Sequence, residues 1–376
     1  MKMHRIAIMD HVGAKAGMDY YSSSLAKGFI EQQCKVDIYS NFIGIEPESI
    51  NYHPLYEGHA SDNTLIKLVK FITSTLKASF SARKKKTDLV VLHLFSAVPI
   101  MVPLIMIPKL FWLKTAVISH DVSSFTDNDN SLVQNLVYNK LSDFIVVHNQ
   151  FSYDTLLKNV QIDNPKKVVI IKHGGYLDHI GENPSKQKVR EDLGLEQDGK
   201  YILFFGQIKD AKGLDILLEA MRHTHEDIKL IIAGKPWRND FASYDKQIHD
   251  LGLHDRVVKM IRFIEDEERE KLFFATDVNV LPYRVIFQSG VLLMAMSHSL
   301  PVIASDLPAN KEIIEDKVNG LLFKSEDSED LAKKITLFFD DAEIQIILAK
   351  NSLQTIKNEY NWNDIAQSYL ELLHEK

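Results

Sequence analysis

The chain has one cysteine, Cys34, in 376 residues, so no internal disulfide can form and Cys34 is expected to be a small buried hydrophobe. An excess of basic residues is also missing. The 44 Lys and Arg stand against 51 Asp and Glu, a formal charge of -7, which argues against nucleic acid as the main partner. The Met1 end has no apolar h-region followed by small residues, so the expected location is cytoplasmic, or at the inner face of the cell membrane. No His, Cys or carboxylate cluster has metal-ligand spacing, and no G-x-G-x-x-G fingerprint, solenoid repeat or low-complexity segment is found.

What is present is an ordinary globular composition, 45% hydrophobic and 25% charged, in a chain long enough for two cores. One stretch tests that reading. Leu89 to Pro108 runs twenty residues without Lys, Arg, Asp or Glu, about the length that spans a bilayer. Leu89-Val90-Val91-Leu92 nevertheless fits a buried parallel strand, and Pro99, Pro103 and Pro108 would interrupt a spanning helix.

Short β-branched runs alternate with amphipathic helices, the pattern of parallel sheets covered by helices. A first series has strands at Arg5–Met9, Val36–Tyr39, Leu89–His93, Thr115–Ser119, Phe144–His148 and Val168–Ile171, with a helix over Met18–Glu31. A second series follows the polar stretch 181–188. Its strands are Tyr201–Phe205, Lys229–Ala233, Val257–Ile261, Val278–Leu281, Pro301–Ala304 and Gly320–Phe323. The expected fold class is therefore α/β, with two Rossmann-like domains at 1–182 and 183–355. Residues 356–376 form a terminal helix, free to stay on the second domain or cross back to the first.

Ligands of open parallel sheets bind beyond the carboxyl ends of strands, where loops enter helix N-termini. Three loops have that form. In Asp10-His11-Val12-Gly13-Ala14-Lys15-Ala16-Gly17, Gly17 opens a helix; a plain tight turn is the alternative. In Gly206-Gln207-Ile208-Lys209-Asp210-Ala211-Lys212-Gly213, Lys209 and Lys212 flank a turn that suits a diphosphate; two solvated lysines are the alternative. In Gln288-Ser289-Gly290, Ser289 is a good N-cap for the apolar helix from Val291 to Met296, whose first amides suit an anion; a capped core helix that binds nothing is the alternative.

In order and spacing, Phe204-Phe205-Gly206, Lys212-Gly213-Leu214-Asp215, Ile232-Ala233-Gly234-Lys235, Pro282-Tyr283, Pro301-Val302-Ile303-Ala304 and Glu312-Ile313-Ile314 resemble family four of the retaining, nucleotide-sugar-dependent glycosyltransferases. That resemblance implies two facing Rossmann-like domains (GT-B) with a cleft between them, a nucleotide sugar in the second domain and the acceptor in the first. It implies no cofactor and no metal. Gly17 takes the place of the second glycine of the family's first loop, with Ala16 in place of the first. His120, in Ser119-His120-Asp121, matches a histidine that faces the donor sugar, with Asp121 to orient it; a core or hinge histidine is the alternative. The family's arginine after the glycine is here Gln207, so Lys209 substitutes for it and Lys212 fills the second basic place.

Here the chain departs from the family. The usual glutamate pair, with seven residues between, would fall at Ile286 and Met294. Gln288-Ser289-Gly290 is read as a replacement platform together with Gly206, and Glu312 as the remaining acidic group near the donor. His173 borders the interdomain crossing, as a cleft residue or as hinge packing.

From Leu65 to Phe80 apolar residues recur at Leu65, Leu68, Val69, Ile72, Leu76 and Phe80, and no acidic residue interrupts Lys67 to Lys86. Residues 64–86 are thus read as a peripheral membrane contact, alongside the apolar Val98–Trp112, or as an ordinary lobe helix. The resulting expectation is sugar transfer from a nucleotide diphosphate donor to a glycan or lipid-linked acceptor in surface polysaccharide or glycoconjugate assembly. The alternatives are a degenerate transferase serving as a sugar-binding or scaffold subunit, and a sugar-nucleotide epimerase.

Overall fold

The β-branched runs become strands of two all-parallel sheets in a computed structural model that describes residues 3–13, 17–44, 49–56, 63–122, 131–181, 184–237 and 240–374. Two units result: Met1–Gly174 with Tyr360–Lys376, and Gly175–Glu359. The first boundary therefore falls before residue 182, which itself lies outside the described residues, and the second falls after residue 355.

The first unit contains β1 (Arg5–Met9), α1 (Met18–Glu31), β2 (Lys35–Ser40), β3 (Ile50–Pro54), α2 (Thr64–Lys84) and β4 (Leu89–Leu94). It continues with α3 (Val102–Leu110), β5 (Thr115–Ser119), α4 (Ser131–Asn135), β6 (Phe144–Val147), α5 (Gln150–Asn159) and β7 (Val168–Ile170). The sheet order is β3-β2-β1-β4-β5-β6-β7, with the reversal between β1 and β4. β4 and β5 are buried along their whole length, as continuous apolar runs in a covered parallel sheet must be. Leu89 to Pro108 is thus a core strand, a single 3₁₀ turn and most of a nine-residue helix that has Pro103 in its first turn and contains Pro108. Among the described residues no helix is long and apolar enough to cross a membrane. Cys34 is buried, and that burial pushes its thiol up to about 11.

The second unit contains α6 (Lys186–Asp192), β8 (Lys200–Phe205), α7 (Leu214–Met221), β9 (Ile228–Ala233), α8 (Ala242–Asp250), β10 (Val257–Met260) and α9 (Asp266–Ala275). After these come β11 (Val278–Leu281), α10 (Gly290–Ser297), β12 (Val302–Ser305), α11 (Pro308–Lys311), β13 (Leu321–Phe323), α12 (Ser328–Asp340) and α13 (Ala342–Glu359). Its sheet runs β10-β9-β8-β11-β12-β13, with the reversal between β8 and β11.

The chain then breaks at Tyr360-Asn361, where the Asn361 side chain accepts from the Asp364 amide and starts α14 (Trp362–Glu371). α14 belongs to the first unit. Its Trp362, Ile365, Ala366, Tyr369 and Leu370 join the core beside α1. Gly28 makes that approach possible: a Cβ on it would overlap the Trp362 carbonyl.

One expectation about residues 64–86 needs correction. Lys85 is not part of a basic surface, because its ammonium pairs with Asp37, a fully buried carboxylate that also meets Arg5 at 2.7 Å and His53 at 2.9 Å. Burial by itself would raise the Asp37 carboxyl, and the hydrogen bonds from Lys85 and His53 outweigh it and hold it low. α2 buries Thr75, Ala78, Ser79 and Ala82, while Leu65, Val69, Leu76 and Phe80 of the expected apolar stripe face outward.

Candidate functional site

The reversal point of a parallel sheet is where two neighbouring loops part and leave a crevice at the carboxyl ends of the strands. In the second unit these loops follow β8 and β11, which are paired through Val278 with Ile202 and Asn279 with Leu203. They hold Gly206, Lys209 and Lys212 on one side and Gln288, Ser289 and Gly290 on the other. The structure therefore brings together the two loops expected from the sequence.

The first loop is tied on both flanks. The Gly206 amide donates to the Ala233 carbonyl, and the Ile208 amide to the Lys235 carbonyl, both at 3.0 Å. A single turn, Asp210–Lys212, then leads to Gly213 at φ 64° and into α7. Only glycine fits at 213, since the backbone is left-handed and a Cβ would overlap the Pro282 carbonyl oxygen. Lys212 Nζ rests 3.6 Å from the centre of the Tyr283 ring, and Lys209 Nζ 5.5 Å from that of Trp237. Aromatic faces hold both ammonium groups without neutralising their charge.

Arg284 was not singled out from the sequence, yet it organises this loop. Its guanidinium donates to both Asp215 carboxylate oxygens at 2.8 and 2.6 Å, to the Asp210 carbonyl at 2.9 Å and to Glu326 at 3.1 Å. The Arg284 amide donates to the Ala211 carbonyl at 3.0 Å. The hydrogen bonding that Arg284 donates to Asp215 is the main reason that Arg284 is held charged more firmly than an ordinary arginine. Its position directly after Pro282-Tyr283 was the only available signal, because the Asp215 partner lies sixty-nine residues earlier.

On the other side, Ser289 caps α10 by accepting from the Leu292 amide at 3.2 Å, as its residue type predicted. Gly290 lies against the Tyr176 hydroxyl, and the Val291 side chain lies beside Gly206. The first turn of α10 thus borders the glycine that ends β8. Ile286 sits in the loop before α10, and Met294 is buried within that helix. Glu312 is exposed at the end of the four-residue α11, after β12.

In the first unit the reversal lies between β1 and β4. Gly17, at φ 73°, is the N-cap of α1; Ala16 lies outside the described residues. His120 follows β5, its amide donating to the Leu94 carbonyl at 2.9 Å. Its Nε2 lies 3.0 Å from His93 Nδ1, and its ring stacks on Phe95 with centroids 4.5 Å apart. The ring is therefore placed by His93 and Phe95, while Asp121 beside it is partly buried. His173 is buried with its Nδ1 2.7 Å from the Gly174 carbonyl, against Tyr21 and Trp362.

Sequence reading missed the assembly to which these residues belong. His93, His120, His148 and His173 surround the Tyr21 ring, each at or just beyond the carboxyl end of a neighbouring strand from β4 to β7. Burial pushes His148 down to about 3 and His173 to about 4, and holds His93 and His120 below the ordinary imidazole value. Among the described residues, no group of three or more His, Cys, Asp or Glu is arranged to hold a metal ion.

The chain is similar to known proteins. Residues 185–362 match the family described as Glycosyl transferases group 1. An uncharacterized glycosyltransferase of Methanocaldococcus jannaschii is 28% identical over 184 residues, 48% of this chain and 46% of that protein. A D-inositol 3-phosphate glycosyltransferase of Corynebacterium glutamicum is 22% identical over 96% of this chain and 92% of its own length. At 27 to 28% identity, the chain spans about half the length of the curated relatives it matches. The crystal structure of Anabaena HepE in complex with UDP superposes with a TM-score of 0.76, covering 99% of this chain and 100% of that one at 18% identity. The chain therefore has the GT-B fold of two Rossmann-like units, and its residues 185–362 are similar to the glycosyl transferases group 1 family.

Proposed function

We propose that this chain is a retaining glycosyltransferase of family four, transferring a sugar from a nucleotide diphosphate donor to a glycan or lipid-linked acceptor in surface polysaccharide or glycoconjugate assembly. The observation that carries this reading is the loop pair at the reversal of the second sheet. There, the loop that begins at Gly206 carries two ring-supported lysines, and Val291 of the first turn of α10 lies beside that glycine. A departing nucleoside diphosphate gains negative charge as its bond to the sugar breaks, and fixed cations and free helix amides stabilise that charge. Gln288, Ser289 and Gly290 take the place of the glutamate pair, with Glu312 as the acidic group of the donor side. His120 hydrogen-bonds the donor sugar.

Release of nucleoside diphosphate across a panel of UDP-, GDP- and dTDP-sugars tests the reading. Lys212→Ala is expected to lower turnover roughly 10²- to 10³-fold, the usual cost of losing one group that stabilises developing charge. A chain that releases no diphosphate and binds no donor would instead be a sugar-binding or scaffold subunit, the reading that Ile286 and Met294 favour.

The acceptor partner we infer is presented at an anionic bilayer. α2 and α3 pack together, joined by Phe80 against Phe111. Leu65 and Phe80 on α2 and Trp112 just after α3 are 68%, 60% and 81% exposed. Lys67, Lys77, Arg83, Lys84 and Lys86 lie exposed on or just after α2. Apolar side chains flanked by lysine and arginine suit the headgroup region, where each basic residue contributes about 1 kcal/mol.

A further inference from the structure

The histidines around Tyr21 are joined to a buried carboxylate by a directed chain of hydrogen bonds. Asp10 follows β1 and is fully buried. Its Oδ1 accepts from the amides of Val12 and Gly13 at 3.0 and 2.8 Å, and its Oδ2 accepts from Ser22 Oγ at 2.7 Å. A group that accepts three such bonds has the inventory of a carboxylate. Ser22, also fully buried, has one hydroxyl proton, and Asp10 receives it. Toward His93 Nε2, at 3.3 Å, Ser22 Oγ is then an acceptor. Nε2 of His93 must carry the ring proton.

Burial keeps both His93 and His120 in the neutral form. A neutral imidazole protonated on Nε2 has a lone pair on Nδ1. His93 Nδ1 therefore accepts, and His120 Nε2, 3.0 Å away, donates. The remaining nitrogen of His120, Nδ1, is left as its acceptor.

We propose that Asp10, Ser22 and His93 are positioning residues that fix His120 as the Nε2–H tautomer, so that it offers Nδ1 as a hydrogen-bond acceptor to a hydroxyl of the donor sugar. This rests on the transferase reading for the sugar, and on the first unit alone for the tautomer. The polarity is set at the start of the chain, where two backbone amides hold one oxygen of Asp10.

Those amides also make the polarity reversible by a single substitution. In Asp10→Asn, the amide oxygen is required beside Val12 and Gly13, so the NH2 group must face Ser22. Ser22 then accepts from Asn and donates to His93 Nε2, His93 becomes the Nδ1–H tautomer, and His120 is driven to Nδ1–H. His120 would meet the same sugar hydroxyl as a donor. Turnover is expected to fall through kcat by roughly 10- to 100-fold, the range seen when outer partners of metal-bound histidines are removed.

Long-range proton–nitrogen NMR of the full chain labelled with ¹⁵N-histidine reads the tautomer directly, with His120→Gln assigning the resonance. Nε2–H at His120 in the unmodified chain, switching to Nδ1–H in D10N, is the expected result. Nδ1–H in the unmodified chain, or an unswitched His120 in a folded D10N, overturns the relay. Should D10N not fold, the unmodified spectrum decides alone. A confirmed switch in a chain that turns over no donor leaves the relay standing and removes the transferase reading; turnover with the wrong tautomer does the reverse.

Discussion

Lowering the pH from 7 to 5 should destabilise the first unit through its buried histidines. His148 and His173 are buried, chiefly for that reason titrating at about 3 and about 4, against an ordinary value of 6.5 in an unfolded chain. The folded values are depressed, so on acidification the unfolded chain takes up protons first. Stability is full above pH 6.5 and is lost progressively as the pH falls toward about 4 for His173 and about 3 for His148. At pH 5 each unfolded imidazole is charged and each folded one neutral, a difference of roughly 1.5 units from 6.5 and so about 2 kcal/mol per histidine. Together the two remove about 4 kcal/mol, a large share of the usual stability of a domain. His93 and His120 act in the same direction.

The measurement is urea unfolding at pH 7, 6 and 5, followed by tryptophan fluorescence. Trp362 is buried against Tyr21 and His173, whereas Trp112 is exposed and Trp237 lies in the second unit. A chain with Trp112→Phe and Trp237→Phe therefore reports on the histidine cluster. With a urea slope of about 2 kcal/mol per molar, the midpoint should fall by roughly 2 M between pH 7 and 5. His148→Phe should remove about 1 M of that dependence. A midpoint that moves by less than about 0.5 M would show that these imidazoles titrate as solvated groups, and the argument from burial would fail.

Arg284→Gln should slacken the 210–212 turn, because one guanidinium there holds Asp215 and the Asp210 carbonyl. The expected outcome is about a tenfold or greater loss of kcat/KM for the donor, measured alongside the far-ultraviolet circular dichroism; unchanged kinetics would remove Arg284 from the site. On α2 and α3, Phe80→Ser combined with Trp112→Ser should weaken sedimentation with phosphatidylserine vesicles by about 3 kcal/mol or more, and equal binding would refute the bilayer contact. Neutralising Arg83, Lys84 and Lys86 should also weaken binding. Lys85→Gln should instead cost about 2 kcal/mol of folding stability, read by urea unfolding, because it strips a charged partner from buried Asp37.

Much of the scaffold was legible because covered parallel strands need continuous apolar runs, and Thr115–Ser119 and Val278–Leu281 stand at the positions read from the sequence. Ser289 was legible as a cap for a local reason, its hydroxyl reaching an amide three residues on. β3 was missed because Ile50-Asn51-Tyr52-His53-Pro54 is mostly polar, as an edge strand paired on one side can be. Relations across long sequence distances were not legible at all. Lys85 looked like one of four adjacent basic residues until Asp37, forty-eight positions earlier, was seen beside it. The histidines likewise ended separate apolar runs, and only the register of β4 to β7 sets them around one tyrosine.

α2 shows most sharply why periodicity underdetermines function. Its apolar stripe was legible, and a stripe is normally taken to face the core. The face that packs inward is instead Thr75, Ala78, Ser79 and Ala82, whose small side chains allow close approach and leave little apolar area to be buried. Leu65, Val69, Leu76 and Phe80 remain on the outside, where water is a poor solvent for them. A repeat of 3.6 residues states only that one side of the helix prefers an apolar medium. Which medium it meets depends on the opposite side, and in α2 the small residues have already taken the protein interior, which leaves the large ones outside, where the proposed bilayer contact would use them.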